Sequence, residues 1–532
     1  MGTEKHYWIL NNLERAEKNA AAPDNASVDV ELYAMKRETA DFQIVVRGGP
    51  CMPVVIYSLT LSDLTGDAGT IPAQNASLYR EHFVFVPAEN HSCAPADADH
   101  FPDSGDCWYP DALIPFAQDK DLARYIALPY TAAPGENAAF WVDYPVPDHT
   151  GAGSYTGKYT IEANHGEWTG AIRLTVWNGS LPKDHSLWTS VSLHTTDSDD
   201  VLAMNELLHH GMNLSNALPA KTYLRLKGQR YADAGFWGNI SYGETSMAPP
   251  PSEEEVSARV KELKSVLGEE IPLLNYTVDE IEHVYENPLY HEQLRKNIYL
   301  WRQALHKNGV KLLAVCKPYT DLLDDRDLGG TGQPLVDIFV VLDTLCLTPY
   351  TAYERGDSCA EIAARAQAQG CEVWTYTALL QDGSTPIWLL DYAPVNYRIM
   401  PGFLKQAIGM TGTLYWTANH WSEEPWRIPW AEPYAKMPGE GMLVYPGEEA
   451  GVEGVVPSIR LKWIRDGIVD YDYIQMLRQQ GMEQAAMEIV RGVAPDLVNW
   501  TKSGTRLMQA RIELGRLWSS GEHCGNAVRG SA

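Results

Sequence analysis

The 532 residues carry 69 acidic and 42 basic side chains, a net charge of −27. So acidic a surface repels phosphate backbones and anionic lipid, which argues against nucleic-acid and membrane partners. Hydrophobic residues at 45% and charged ones at 21% are ordinary globular composition, and the length calls for two or three domains rather than one core.

Met1–Trp8 lacks the apolar core of a leader, so the chain is expected to be cytoplasmic, or exported with its leader already removed. No run approaches the roughly 20 apolar residues that span a bilayer. The eight cysteines form no Cys-x-x-Cys pair, which counts against a zinc ribbon or dithiol motif. Cys93 and Cys107 flank an Asp-, Ala- and Pro-rich loop, either bonded to each other or reduced; His91, His100 and Asp103 in that region are a weak metal-site pattern.

From about residue 28 to 180 the pattern is that of strands. Ser27–Tyr33 alternates, Phe42–Val46 and Ala139–Tyr144 are short runs, and Tyr155–Ala163 turns at Asn164-His-Gly166 into Ala171–Trp177. Short strands separated by Gly, Pro and Asn clusters predict a β-sandwich over 1–182.

After Leu181-Pro182 strand-like and helix-like segments alternate. The predicted strands are Leu187–His194, Met212–Leu218, Ala234–Ile240, Ile271–Val278, Val310–Cys316, Ile338–Leu342, Cys371–Thr377 and Thr411–Thr417. Helical patterns at Glu253–Leu267, Leu289–His306, Cys359–Gln369 and Val395–Ile408 separate several of them. Eight such units over 183–456 predict a (β/α)8 TIM-type barrel. Beyond Pro457 amphipathic segments predict a helical extension over 457–532, packed on the barrel.

Gly-x-Ser-x-Gly, a Walker loop, a dinucleotide-binding Gly-x-Gly-x-x-Gly and His-Glu-x-x-His are all absent, which counts against serine hydrolases, NTPases, Rossmann oxidoreductases and zincins. What remains is Asp279-Glu280 at the end of the fourth strand, where a barrel keeps its chemistry. The composition also holds 17 Trp and 28 Tyr against 9 Phe, and aromatics with a polar edge suit sugar rings. Trp374 and Tyr376 on the seventh strand, and Trp416, Asn419 and Trp421 at the end of the eighth, are candidate platform residues. Asp391 and Arg398, in the loop and helix between those strands, are candidate hydrogen-bonding groups.

The Asp279-Glu280 strand end, Trp374-x-Tyr376, Leu414–Trp421 and the run Pro457–Tyr473 together resemble glycoside hydrolase family 123. Arg37–Gln43 and Tyr109–Pro115 resemble that family's sandwich domain; the resemblance does not extend to middle stretches, especially Pro219–Pro251. The resemblance implies a retaining β-N-acetylgalactosaminidase that acts by substrate-assisted catalysis. Glu280 would protonate the departing oxygen, the substrate's 2-acetamido carbonyl would form an oxazoline, and Asp279 would orient and stabilise that amide. It implies a glycan partner and no cofactor or metal. An ordinary retaining pair sits about 5 Å apart across the bond. Consecutive residues cannot easily do that, but a substrate that supplies its own nucleophile removes the need. A β-N-acetylglucosaminidase, an enzyme accepting both epimers, and a non-catalytic glycan-binding protein remain alternatives on the same fold, and the sequence leaves oligomeric state open.

Overall fold

The computed structural model describes residues 6–92, 105–194, 200–238, 248–279, 291–316, 344–347, 359–368, 370–379 and 385–529. The predicted strand Ile338–Leu342, Glu280, Cys93, His100 and Asp103 lie outside them.

The first third folds as expected from its period-two patterning. One antiparallel sheet runs Tyr7–Leu10, Thr39–Arg47, Asn137–Pro145, Ser77–Val86 and Cys107–Pro115, in that spatial order. A second is built on the predicted hairpin, Gly153–Ala163 with Gly166–Ser180, flanked by Val54–Leu61 and by Val30–Lys36, the last of these parallel. Gly166 takes a positive φ of 120° where the hairpin turns, a conformation that glycine adopts without strain. Phe42, Ile44, Phe140 and Val142 of one sheet share a buried core with Leu32, Ile161, Ile172 and Leu174 of the other. The two sheets therefore make a sandwich.

The middle third is a curled, seven-stranded parallel sheet. Its order is Trp188–Val191, Gly412–Tyr415, Glu372–Tyr376, Thr344–Leu347, Val310–Cys316, Leu273–Val278 and Ala232–Asp233. The first strand in sequence pairs with the last, and the rest follow in reverse chain order. Two expectations are corrected. The predicted strand Met212–Leu218 forms no ladder, only a bridge from Leu214 to Val191. The predicted strand Ala234–Ile240 sits two residues early and is only two residues long, because Asn275 caps both polar groups of Phe236 and turns the chain away from the ladder. Tyr231, Leu274, Leu313, Val315, Trp374 and Leu414 fill the concave side.

Helices cover the convex side. Glu253–Leu267 opens with a full capping box, Ser252 and Glu255 each accepting from the other's backbone, which satisfies two otherwise orphaned amides. Pro394–Ile399 runs through a π-helical turn, Met400–Leu404, into Lys405–Ala407.

The C-terminal segment is helical, as expected, but it packs on the sandwich as well as on the sheet's helices. Ile459–Gln479 is buried along nearly all its length, lying between the two. A Cβ at Gly467 would stand 2.3 Å from the carbonyl oxygen of Arg398, and one at Gly402 would stand 2.8 Å from that of Gly467. These glycines let the two helical segments touch. The same helix drives three cations into the sandwich. Arg460 grips Asp111 at 2.8 and 2.9 Å, Lys462 bonds Asp143 at 2.7 Å, and Arg465 bonds Asp143 at 3.0 Å and Asp41. The two cations hold Asp143 well below the usual carboxylate range despite its burial. Among the described residues no helix is long and apolar enough to cross a membrane.

Candidate active site

All seven strands of the curled sheet are parallel, so their C-terminal ends share one rim, and the segments that follow them meet there. Asp279 comes from the strand Leu273–Val278. In a regular strand Leu274, Tyr276 and Val278 would all face the concave side. The ladder slips between Tyr276 and Val278. Leu274 and Tyr276 pack in the concave cluster, whereas Val278 packs in the core beneath the helices. The slip shifts the side-chain phase, and Asp279 falls on the same side as Tyr276. The Tyr276 hydroxyl donates to Oδ1 of Asp279 at 2.9 Å.

The last strand contributes a second group. Trp416 follows Tyr415, and its indole N–H donates to Oε1 of Glu440. The other carboxylate oxygen of Glu440 accepts the Leu379 amide at 3.0 Å. Glu440 stands between Gly439 and Gly441, both at positive φ, 82° and 67°. A Cβ at Gly441 would come within 2.8 Å of the Trp416 ring, and one at Gly439 within 2.7 Å of the Arg460 guanidinium. Arg460 also bonds the Gly439 carbonyl at 2.8 Å, so the cation that grips the sandwich also braces the Glu440 turn. Burial pushes the Glu440 carboxyl up to about 7, partly offset by the Trp416 and Leu379 donors.

Around Trp416 stand His194 at 5.5 Å, His420 at 5.0 Å and Tyr434 at 5.7 Å between ring centroids, with His194 and His420 4.6 Å apart. Burial pushes the His420 imidazole down, helped by His194. Together these groups can hold a flat, hydroxylated ligand against an indole and aim a carboxylate at it. Among the described residues no cluster of three or more His, Cys, Asp or Glu has the arrangement of a metal site.

The predicted site residues separate into two groups. Asp279, Tyr376, Trp416 and Asn419 lie at or beside this rim. Tyr376 packs in the same concave cluster as Tyr276 and Trp416, and the Asn419 side-chain carbonyl accepts the His194 amide at 2.6 Å. Glu280 lies outside the described residues.

The other four are placed elsewhere. Trp374 lies opposite Gly412, one inward layer below Tyr376 and two below Trp416. It lines a small void at the sheet's N-terminal end with Trp188, Lys311 and Glu372. Asp391 is fully buried and accepts the Ser92 amide at 2.7 Å and the Ser92 hydroxyl at 2.9 Å. Arg398 forks onto Asp470 at 2.7 and 2.9 Å inside the helical layer. Trp421 bonds the Val444 carbonyl at 2.8 Å and packs into the core. All four lie away from the ring cluster around Trp416.

His194, Tyr276, Tyr434 and Glu440 are rim residues that sequence reasoning missed. The signal for Glu440 was present as a carboxylate between two glycines, Gly439-Glu440-Gly441. The others carry no local mark.

Residues 319–477 match the family model described as the catalytic domain of glycoside hydrolase 123. That stretch holds Tyr376, Trp416 and Glu440 and begins after Asp279. No curated protein matches the chain. Among solved structures, a family 123 glycoside hydrolase from Clostridium perfringens, studied for glycolipid glycan hydrolysis, aligns with a TM-score of 0.64 at 12% identity, covering 98% of this chain and 99% of that one. A family 30 endoxylanase from Clostridium papyrosolvens aligns over 54% of this chain and 72% of its own at 14% identity, with a TM-score of 0.28, too low to carry an argument. The resemblance read from the strand ends and the late Arg-Asp-Gly run is thus met by a family-model match over residues 319–477 and by a full-length likeness of fold: the chain is marked as a glycoside hydrolase, and its residues 319–477 are similar to the family 123 catalytic domain.

Proposed function

We propose that this chain is a retaining β-N-acetylgalactosaminidase that works through an oxazoline, on a curled sheet that we take as a (β/α)8 barrel spanning 183–456. The sandwich, 1–182, and the helical segment, 457–532, would frame it. The observation that carries the reading is the Tyr276–Asp279 hydrogen bond at the rim, with Tyr376 and Trp416 in the same aromatic cluster.

Asp279 would accept the acetamido N–H of the bound sugar, aiming the amide oxygen at the anomeric carbon and balancing the positive charge that grows on nitrogen. Glu280 would give its proton to the leaving oxygen as the C–O bond breaks, then take a proton from the water that opens the oxazoline, with net retention. Tyr276 fixes Asp279 in place through its hydroxyl. Trp416 would stack on the sugar, its indole held by Glu440. The chemistry of this scheme needs no cofactor.

Glu280→Gln is expected to abolish hydrolysis of 4-nitrophenyl N-acetyl-β-galactosaminide, and Asp279→Asn to impair it severely, both with an unchanged melting temperature. Near wild-type turnover by Glu280→Gln would refute the scheme. Running the gluco and galacto epimers side by side separates the galactosaminidase reading from a glucosaminidase or dual enzyme.

A further inference from the structure

Trp237 is a large aromatic left 49% exposed, in the stretch Pro219–Pro251 that the family resemblance does not reach. It follows the two-residue strand Ala232–Asp233, at the C-terminal rim where Asp279 stands. Its ring meets that of Tyr276 at 5.5 Å and 79°, and Tyr276 is the donor to Asp279. One aromatic contact and one hydrogen bond therefore separate this indole from the carboxylate assigned to the acetamide.

The backbone beneath it is locked. Asn275 bonds the amide and the carbonyl of Phe236 at 2.9 and 2.7 Å, and the Gly238 amide bonds the Thr277 carbonyl at 2.7 Å. On the other flank the Gly235 amide bonds Asp233 Oδ1 at 2.7 Å, with Gly235 at a positive φ of 83°. This indole is half exposed, while the backbone on both sides of it, at Phe236 and Gly238, is tied to Asn275 and Thr277 of the strand that leads to Asp279.

We infer that Trp237 is the platform for the leaving group: it stacks on the ring of the sugar attached to the scissile oxygen, and so selects glycosides whose aglycone is itself a sugar. Trp416, braced by Glu440, would hold the sugar whose bond is cut; Trp237 would hold what leaves. This rests on the reading of Asp279 given above.

The test compares two substrates with the same non-reducing sugar: an N-acetyl-β-hexosaminyl azide, whose leaving group is too small to reach a platform, and the corresponding β-linked disaccharide. Trp237→Ala should lower kcat/KM on the disaccharide by about ten-fold, the scale of an aromatic stacking contact, and leave the azide within about two-fold. Trp237→Phe should recover part of the loss. Equal losses on both substrates would overturn the inference, since they would mean that Trp237 acts only by supporting Tyr276. An undiminished rate on the disaccharide would overturn it too. A wild-type protein inert on both substrates would instead refute the hydrolase scheme itself, before any variant is compared, and the inference would fall with it.

Discussion

The Tyr276 hydroxyl and Oδ1 of Asp279 are 2.9 Å apart, brought together by a slip in the strand that carries both. A hydrogen bond to a charged group contributes about 1.5–3 kcal/mol. Tyr276→Phe keeps the ring that Trp237 touches and removes only the donor. Turnover of a chromogenic N-acetylhexosaminide should drop by roughly 10- to 100-fold, chiefly in kcat. The melting temperature should not move by more than a degree or two.

Glu440 is predicted to act through Trp416. Glu440→Gln turns one of its two acceptor oxygens into a donor, facing either the indole N–H or the Leu379 amide. KM should rise by about ten-fold, since a mispaired buried donor costs on the order of 1–3 kcal/mol. In the wild type, KM should fall as pH rises through about 7, where Glu440 becomes the anion that holds the indole best. The variant's KM should stay flat over that interval. A double variant with Trp416→Phe should be no worse than Trp416→Phe alone.

Glu81 tests the sandwich. It is 1% exposed, and both its carboxylate oxygens are buried without a hydrogen-bond partner. Burial alone pushes its carboxyl from 4.5 up to about 8. A raised acid contributes stability that is present below its unfolded pKa and lost as pH rises through its folded one. Wild-type stability should therefore fall between pH 4.5 and 8 relative to Glu81→Gln. Thermal melts at pH 5 and pH 9 should show the variant gaining several degrees at the higher pH only.

Arg398 was a candidate substrate ligand, and its fork onto Asp470 makes the opposite prediction. Arg398→Ala leaves a buried carboxylate with only Arg511, at 2.8 Å, as a cation. Removing one partner of a buried pair costs about 3–5 kcal/mol. The melting temperature should drop sharply, while KM of the protein that remains folded is unchanged. A selective rise in KM would restore Arg398 to the sugar site.

Period-two alternation and the turn at Asn164-His-Gly166 made the sandwich legible, because each strand's burial is written in its own residues. The parallel sheet was legible for the same reason, except where a side chain from elsewhere replaced a ladder, as Asn275 does beyond Asp233. The rim was harder to read. Trp374 and Trp416 look alike in the sequence, and only strand register places one two layers below the other. The partners that hold Asp391, Arg398 and Trp421, namely Ser92, Asp470 and the Val444 carbonyl, could not be read because they are not adjacent in sequence.

The same distance effect explains what the family-like motifs are for. Arg37–Gln43, Tyr109–Pro115 and Pro457–Tyr473 look like three signatures, and the structure joins them. Asp41 and Asp111 in the first two are the acceptors of Arg465 and Arg460 in the third. Their shared pattern encodes a joint between the sandwich and the last helices.

That joint bears on how the chain is made. Asp41, Asp111 and Asp143 are translated 424, 349 and 319 residues before the cations that neutralise them in their final burial. On a ribosome adding about 5–20 residues per second, the acids wait tens of seconds for their counterions. The sandwich can form its hairpins early, but the surface that receives Ile459–Gln479 must stay hydrated until that helix emerges. A nascent chain arrested before Arg460 should consequently remain open to protease at that surface, and release of the full-length chain should close it.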